Sequence, residues 1–192
     1  MPEILSSAET LPVLQTVEEF ERRERQHHTE GNYEFVLGRI IKKESVKQEE
    51  AYLYVFLARR FFCTAAFRRG DVLMPKTDSY VDKVRKRIPD LTYFSAEQLQ
   101  SIRAGIQVST AFPIEILSDS ETDQPERRPG VLEKIQDYFD GGAQLVWYIA
   151  PKRQKIYVYT SPDESKAYKG NDLISAAPVV PDFQFVVAEL FA

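Results

Sequence analysis

Three carboxylates stand in apolar segments of this 192-residue chain. Glu115 lies between Ile114 and Ile116 in FPIEIL, Asp90 lies in RIPDLTYF, and Glu34 lies in YEFVLGRII. Because burying an ionised carboxylate is costly unless it is paired, hydrogen-bonded or bound to a metal, each of these side chains needs a partner. Two close carboxylates favour Mg²⁺ or Mn²⁺, and such an ion can activate water for attack on a phosphodiester.

A lysine in the segment after Glu115 adds a fourth candidate. VLEKIQDYFD predicts a helix in which Lys134 lies beside Val131 and Tyr138, at the edge of an apolar stripe. From that edge the ammonium could reach inward. It could orient or deprotonate an attacking water, or offset negative charge in the transition state.

Each of these residues also has a purely structural interpretation. A carboxylate can cap a backbone amide or pair with Arg39, Arg59 or Arg87, and Lys134 can be a solvated helix lysine. For a single residue the structural interpretation is the more common one. Three carboxylates in apolar settings, taken together, favour a functional site over the structural interpretation.

Strand geometry decides whether the carboxylates can meet. Side chains alternate along a strand, so Ile114 and Ile116 share one face while Glu115 and Leu117 share the other. By the same count Asp90 lies at a strand end, on the face of Ile88 and Thr92. If the two strands are neighbours, their carboxylates converge to within a few ångströms.

The remaining segments predict the elements that position these residues. Capping boxes begin a helix at Thr16 and another at Ser95, and a hairpin turns at Gly38. A buried helix is expected in VKQEEAYLYVFLARRFF, and the apolar tail VVPDFQFVVAELFA is expected to pack back on the core. Further strands are predicted in DVLMPK, RIPDLTYF, FPIEIL, QLVWYIAP and KIYVYT, the last two joined by the basic turn KRQK. The order predicts a mixed α/β or α+β sheet with one helix crossing between central strands.

Composition sets further limits. The length favours one domain over residues 1–192, with residues 1–15 as a loosely packed N-terminal arm. The start lacks a basic signal region, and Arg59 and Arg60 interrupt the most apolar stretch, so the chain is expected to be cytoplasmic, with no membrane span. The lone Cys63 is expected to be a buried small hydrophobe, and the adjacent His27 and His28 have no predicted site role.

The net charge of −4 excludes a global basic field, so contact with nucleic acid would need a local patch. The basic groups available are KVRKR at residues 83–87 and the group Arg59, Arg60, Arg68 and Arg69. Taken alone, either is more often a solvated face.

Several segments together resemble the Uma-type restriction endonucleases of the PD-(D/E)XK nuclease superfamily, from about Thr16 to the C-terminus. They are YEFVLGRII, RIPDLTYFS, PIEILS, EKIQDYFDGGAQLVWYIAPKRQKIYVY and VVPDFQFVVAELF. The resemblance implies an α/β (α+β) fold with a restriction-endonuclease-like central mixed β-sheet flanked by helices. It also implies a Mg²⁺-dependent (or Mn²⁺-dependent) phosphodiesterase site.

Carried onto this sequence, the resemblance matches Asp90 and Glu115 to the metal-binding acids, with the backbone carbonyl of Ile116 as a further ligand. Glu34 matches an acid supplied by the N-terminal part. The superfamily's usual lysine position is Leu117 here, and Lys134 matches a lysine that has moved to the following helix.

Two functions follow as expectations. The first is a metal-dependent DNA endonuclease that uses Asp90, Glu115, Lys134 and Glu34. The second is a catalytically impaired nuclease fold acting as a nucleic-acid-binding or dimeric interaction module, favoured by the negative charge, by Leu117 and by the long segment TDQPERRPG before Lys134. A homodimer through KIYVYT and the aromatic tail is a possible arrangement for either function.

Overall fold

A computed structural model of the chain describes residues 14–27, 31–43, 48–117 and 129–192. Most of the expected N-terminal arm, His28, and the segment TDQPERRPG up to residue 128 lie outside the described residues.

The first helix begins with a capping box. In α1 (Val17–His27), the Thr16 hydroxyl accepts the Glu19 amide at 3.2 Å, and the Glu19 carboxylate accepts the Thr16 amide at 3.1 Å. The predicted capping box is confirmed.

A two-residue turn closes the first hairpin. Strands β1 (Asn32–Val36) and β2 (Arg39–Lys43) pair antiparallel, and the intervening Leu37 and Gly38 have φ of 49° and 82°. Positive φ at both central residues is the requirement of a type I′ turn, whose twist matches that of the flanking strands. The predicted hinge at Gly38 is confirmed.

The strands of the described residues form three sheets. The hairpin belongs to a four-stranded antiparallel sheet in the order β2-β1-β5-β4, and a six-stranded sheet has the order β10-β9-β8-β7-β6-β3. In the larger sheet β7 and β8 are parallel and the other neighbours are antiparallel. The third sheet is the pair β11-β12. The remaining strands are β3 (Val72–Pro75), β4 (Ser79–Asp82), β5 (Arg85–Arg87), β6 (Leu91–Phe94), β7 (Phe112–Ile116), β8 (Val146–Ala150), β9 (Lys155–Ser161), β10 (Glu164–Lys169), β11 (Leu173–Ala176) and β12 (Val180–Val186).

Helices cover both faces of the six-stranded sheet. The helices after α1 are α2 (Ala51–Phe62, after a 3₁₀ turn at Gln48–Glu50), α3 (Ala65–Arg68), α4 (Ala96–Arg103), α5 (Pro129–Asp140) and α6 (Val187–Leu190). One face packs Ile114 and Trp147 against Leu57 of α2 and Phe183 of β12, and α6 joins the same cluster. The other face packs Tyr148 and Tyr159 against α5. A mixed α+β fold with a central mixed sheet between helices is therefore confirmed, as is the inward packing of the tail.

RIPDLTYF differs from its prediction as one strand. Its first residue ends β5 in the four-stranded sheet, and its last four residues form β6 in the six-stranded sheet. The intervening Ile88, Pro89 and Asp90 carry the chain between the sheets. Proline cannot donate to a strand ladder, so a strand break at Pro89 is favoured.

The helix α2 is only half buried, contrary to the predicted central helix. Leu53, Leu57 and Phe61 are buried, whereas Tyr52 and Phe62 are about half exposed, at 46% and 54%. The helix packs on the core with only one side. Because its apolar residues lie nearly all round the helix, some of them remain exposed. Cys63, at its C-terminal end, is exposed, and its predicted burial is wrong.

Two further predictions, that KVRKR and KIYVYT are exposed on the surface, are also wrong. Within KVRKR, Lys86 and Arg87 are buried and paired with carboxylates, so this run is not an exposed basic patch. KIYVYT forms β9, which lies between β8 and β10, and its residues from Ile156 to Tyr159 are buried. It offers no exposed strand for dimerisation. Within the described residues, no helix has the length and apolar character needed to cross a membrane.

Candidate active site

Asp90 lies where the chain passes from the four-stranded to the six-stranded sheet. Its neighbour Leu91 begins β6 and pairs with Ile114 of β7, so Asp90 adjoins the end of β7. The Asp90 Oδ2 atom accepts the backbone N–H of Ile116 at 2.7 Å, and the side chain is almost fully buried. The N–H and C=O of one strand residue point to the same side, so the Ile116 carbonyl is directed toward the Asp90 side of β7.

Glu115 points to the opposite face of β7 from Ile114 and Ile116, as the alternation predicts. Its carboxylate is buried beneath α5. The Tyr138 hydroxyl donates to Oε1, and the Lys134 ammonium lies 2.9 Å from the same oxygen. The structure therefore brings Lys134 and Glu115 into direct contact, and Lys134 points inward.

Lys43 contacts both Glu115, on β7, and Asp90, which directly precedes β6. Its Nζ lies 3.1 Å from Glu115 Oε2 and 3.4 Å from Asp90 Oδ1. Lys76, just after β3, also pairs with Asp90 Oδ1. Neither lysine is predicted from the sequence, because Lys43 ends the polar strand RIIKK and Lys76 follows a short edge strand. Neither position carries a sequence signal, since each contact depends on how separate elements pack.

Glu34 enters the cluster through Lys134 and not through the other acids. Lys134 Nζ lies 2.8 Å from Glu34 Oε1, while Arg87 Nη1 and the Ile88 amide each bond the same carboxylate at 3.0 Å. Arg87 in turn donates to Asp137 of α5 at 2.7 Å. The structural alternative, a carboxylate paired with Arg87 and a backbone amide, thus describes much of the environment of Glu34. Its position suits it to hold Lys134 in place.

Neighbouring charges outweigh burial in setting the pKa values of Glu115, Glu34 and Lys43. Burial raises the pKa of Glu115, but Lys134 and Lys43 outweigh it and, with the Tyr138 hydrogen bond, lower the pKa to about 2. Burial likewise opposes ionisation of Glu34, yet Lys134 and Lys43 hold its pKa below the usual value. For Lys43, burial lowers the pKa, and Glu115, Asp90 and Glu34 together raise it well above the usual value. The carboxylates of Glu115 and Glu34 and the Lys43 ammonium are therefore charged at neutral pH.

This charge state predicts acid sensitivity. A carboxylate whose pKa is lowered on folding stabilises the protein above its unfolded pKa of about 4.5, and this contribution is lost as the pH falls toward about 2. We expect the free energy of unfolding to fall over this range, and to fall less steeply in Glu115→Gln. Urea unfolding at a series of pH values measures both slopes. Glu97→Gln, an exposed glutamate of α4, should keep the wild-type slope, and an equally steep slope in Glu115→Gln would contradict the prediction.

The donors suit a hard cation. Asp90 and Glu115 supply carboxylate oxygens, and the Ile116 carbonyl is directed toward the Asp90 side of β7. Oxygen ligands of this kind are the ones that Mg²⁺ and Mn²⁺ prefer. The Lys43 ammonium lies between the two carboxylates, so a positive charge is accommodated there. In the parts of the chain that the structure describes, no three His, Cys, Asp or Glu side chains form a group that could hold a metal. Within the described residues, the ligand set predicted from the sequence therefore consists of two carboxylate side chains and one backbone carbonyl.

Comparisons with known proteins identify a similar structure and a matching family. A crystal structure from Anabaena variabilis, described as "a putative nuclease belonging to DUF820", superposes with a TM-score of 0.75. The match covers 92% of this chain and 97% of that chain at 17% identity, so it shows a shared fold. The model of the Uma2 family, described as "Putative restriction endonuclease", matches residues 17–188. The chain belongs to this family, as the sequence resemblance indicated. No curated protein matches the chain.

Proposed function

We propose that this protein is a metal-dependent endonuclease that hydrolyses phosphodiester bonds in DNA, with a site of the PD-(D/E)XK type. One observation carries the proposal. Two buried carboxylates, Glu115 on β7 and Asp90 directly before the neighbouring β6, share a single positively charged group, and a second ammonium contacts the same Glu115. Membership of the restriction endonuclease family supports a nucleic-acid substrate.

Asp90, Glu115 and the Ile116 carbonyl would hold Mg²⁺ or Mn²⁺. A bound ion of this kind polarises a phosphoryl oxygen and makes water a better nucleophile. The chain's own contribution is to fix the ligands. The Ile116 amide orients Asp90 and the Tyr138 hydroxyl orients Glu115, so both carboxylates are set before any ion arrives.

Lys134 serves as the positioning and charge-stabilising group of the site. An ammonium has three donors and no acceptor, so beyond its contacts with Glu34 and Glu115 it can donate to an attacking water or to a phosphate oxygen. Glu34, itself held by Arg87 and the Ile88 amide, fixes the direction of Lys134.

The alternative is a non-catalytic module that keeps the fold and binds nucleic acid or a second copy of the chain. The observation in its favour is that the carboxylates already have lysine partners: Lys43, Lys76 and Lys134 compensate Asp90, Glu115 and Glu34. Such a cluster is satisfied by the protein's own charges and needs no ion for stability.

A cleavage assay separates the two functions. Purified protein is incubated with supercoiled plasmid, linear duplex, single-stranded and branched DNA, each with Mg²⁺, with Mn²⁺ and with a chelator. The nuclease proposal expects cleavage of at least one form with metal and none with the chelator. Binding of DNA without cleavage in any of these conditions would favour the alternative.

Lys134→Met is expected to lower the cleavage rate by about 10²–10³-fold, the usual cost of losing one preorganised donor to transition-state charge. Single-turnover cleavage at saturating Mn²⁺ measures this loss, and a Mn²⁺ titration should show that binding of the ion is not weakened. Lys42→Met is the matched control, because Lys42 is exposed on the neighbouring β2. A Lys134→Met protein that cuts at the wild-type rate would remove Lys134 from the mechanism.

A further inference from the structure

Lys43 differs from the other two lysines of the cluster in what it contacts. Lys76 contacts Asp90, and Lys134 contacts Glu115 and Glu34. Among the lysines of the described residues, Lys43 is the one whose ammonium lies within 3.4 Å of both Asp90 and Glu115. It therefore occupies the space between the two carboxylates that would hold the divalent ion.

The charge balance indicates that the Lys43 ammonium and a divalent ion cannot occupy this position together. The cluster contains three carboxylates and three ammoniums, and its members are largely buried: Asp90, Glu115, Glu34, Lys43, Lys76 and Lys134. A divalent ion entering with all three ammoniums in place would add two uncompensated positive charges to a poorly solvated space. Loss of the nearest ammonium relieves both the repulsion and the overlap.

The location of Lys43 in the fold allows it to leave. It is the last residue of β2, the edge strand of the four-stranded sheet, whereas Asp90 and Glu115 lie at the six-stranded sheet. Its flexible four-carbon side chain reaches the carboxylates from outside their sheet. Lys134, in contrast, extends from α5 and is held between Glu34 and Glu115.

We propose that the Lys43 ammonium is an internal cation that holds the metal position in the free protein and is displaced when a divalent ion binds. Lys43 then sets the affinity of the site for the ion, and keeps the paired carboxylates compensated until the ion arrives. This inference rests on the proposed function, because it takes the site between Asp90 and Glu115 to be the one that binds Mg²⁺ or Mn²⁺.

Mn²⁺ binding tests the proposal without any measurement of cleavage. Isothermal titration and the Mn²⁺-dependent shift in melting temperature are measured for wild type, Lys43→Gln, Lys43→Arg, Lys42→Gln and Asp90→Asn. We expect Lys43→Gln to lower the Kd for Mn²⁺ by about tenfold or more, because the competing charge is gone. Lys43→Arg, which keeps the charge, and Lys42→Gln, on the exposed face of β2, should stay within about threefold of wild type.

The outcomes distinguish this inference from the proposed function. If Mn²⁺ binds wild type in an Asp90-dependent manner and Lys43→Gln binds it no more tightly, the displacement proposal is overturned and the metal site stands. If neither wild type nor the folded Lys43→Gln protein binds Mn²⁺, or if Asp90→Asn binds it unchanged, both proposals are overturned. Lys43→Met replaces Lys43→Gln should the glutamine variant fail to fold, and the same criteria apply to it.

Discussion

Asp90→Asn is expected to fold like wild type and to lose at least about 10²–10³-fold of the cleavage rate. The asparagine Oδ1 can still accept the Ile116 amide, so the junction between the two sheets keeps its hydrogen bond. What disappears is one of the two negative charges that face the proposed ion. The Lys43 and Lys76 ammoniums then lose their shared carboxylate partner, and an incoming ion loses a ligand.

Three measurements together check this result: the single-turnover cleavage rate, the Kd for Mn²⁺ and the melting temperature. Asp163→Asn is the control, because Asp163 is exposed in the turn between β9 and β10. It should leave all three quantities near wild type. An Asp90→Asn protein that cleaves DNA at the wild-type rate would show that the chemistry takes place elsewhere on the chain.

The second large effect concerns stability. Arg87→Met is expected to lower the free energy of unfolding by about 3–5 kcal/mol, the usual cost of removing one partner from a buried ion pair. Arg87 donates to Glu34 at 3.0 Å and to Asp137 at 2.7 Å, and all three side chains are buried. The substitution leaves Asp137 without this partner and leaves Glu34 with only Lys134 and the Ile88 amide of its described partners. Methionine fills similar space, so the loss reports mainly on charge.

Urea unfolding measures this loss. Arg59→Met is the control, since Arg59 is exposed on α2, and it should change the free energy of unfolding by no more than about 0.5 kcal/mol. Adding Asp137→Asn to Arg87→Met removes one of the carboxylates that lost its partner, so the double variant should recover part of the stability. A loss below about 1 kcal/mol in Arg87→Met would show that Lys134 and Arg85 already compensate these carboxylates.

Local rules were enough to predict much of this fold. Alternation along FPIEIL placed Glu115 and Leu117 opposite Ile114 and Ile116, and the structure has them on those faces. The capping boxes, the Gly38 hinge and the α5 crossing also follow from short-range patterns. Each of these signals is contained in a few neighbouring residues, and the backbone geometry leaves few other outcomes.

The ionic partners could not be predicted in the same way. Lys43 ends a strand of one sheet and Lys76 follows a strand of another, and nothing near either lysine in the sequence marks it as the partner of a buried carboxylate. Arg87 and Lys86 appear in a run of charges that reads as solvated, yet β5 lies inside its sheet and both side chains are covered. Such contacts depend on tertiary packing, which overrides local composition.

The crossing from β7 through α5 to β8 has a consequence for how this protein can evolve. Lys134 is positioned by the packing of its own helix, in which Ile135 and Tyr138 are fully buried, and by the direct return of the chain from Gly142 into β8. Because α5 itself holds Lys134 against Glu115, a change in the length of chain between the acid and the helix need not move the lysine. A lysine supplied by a packed helix therefore allows the chain segment before the helix to diverge. A lysine two residues after the acid on the strand does not allow this.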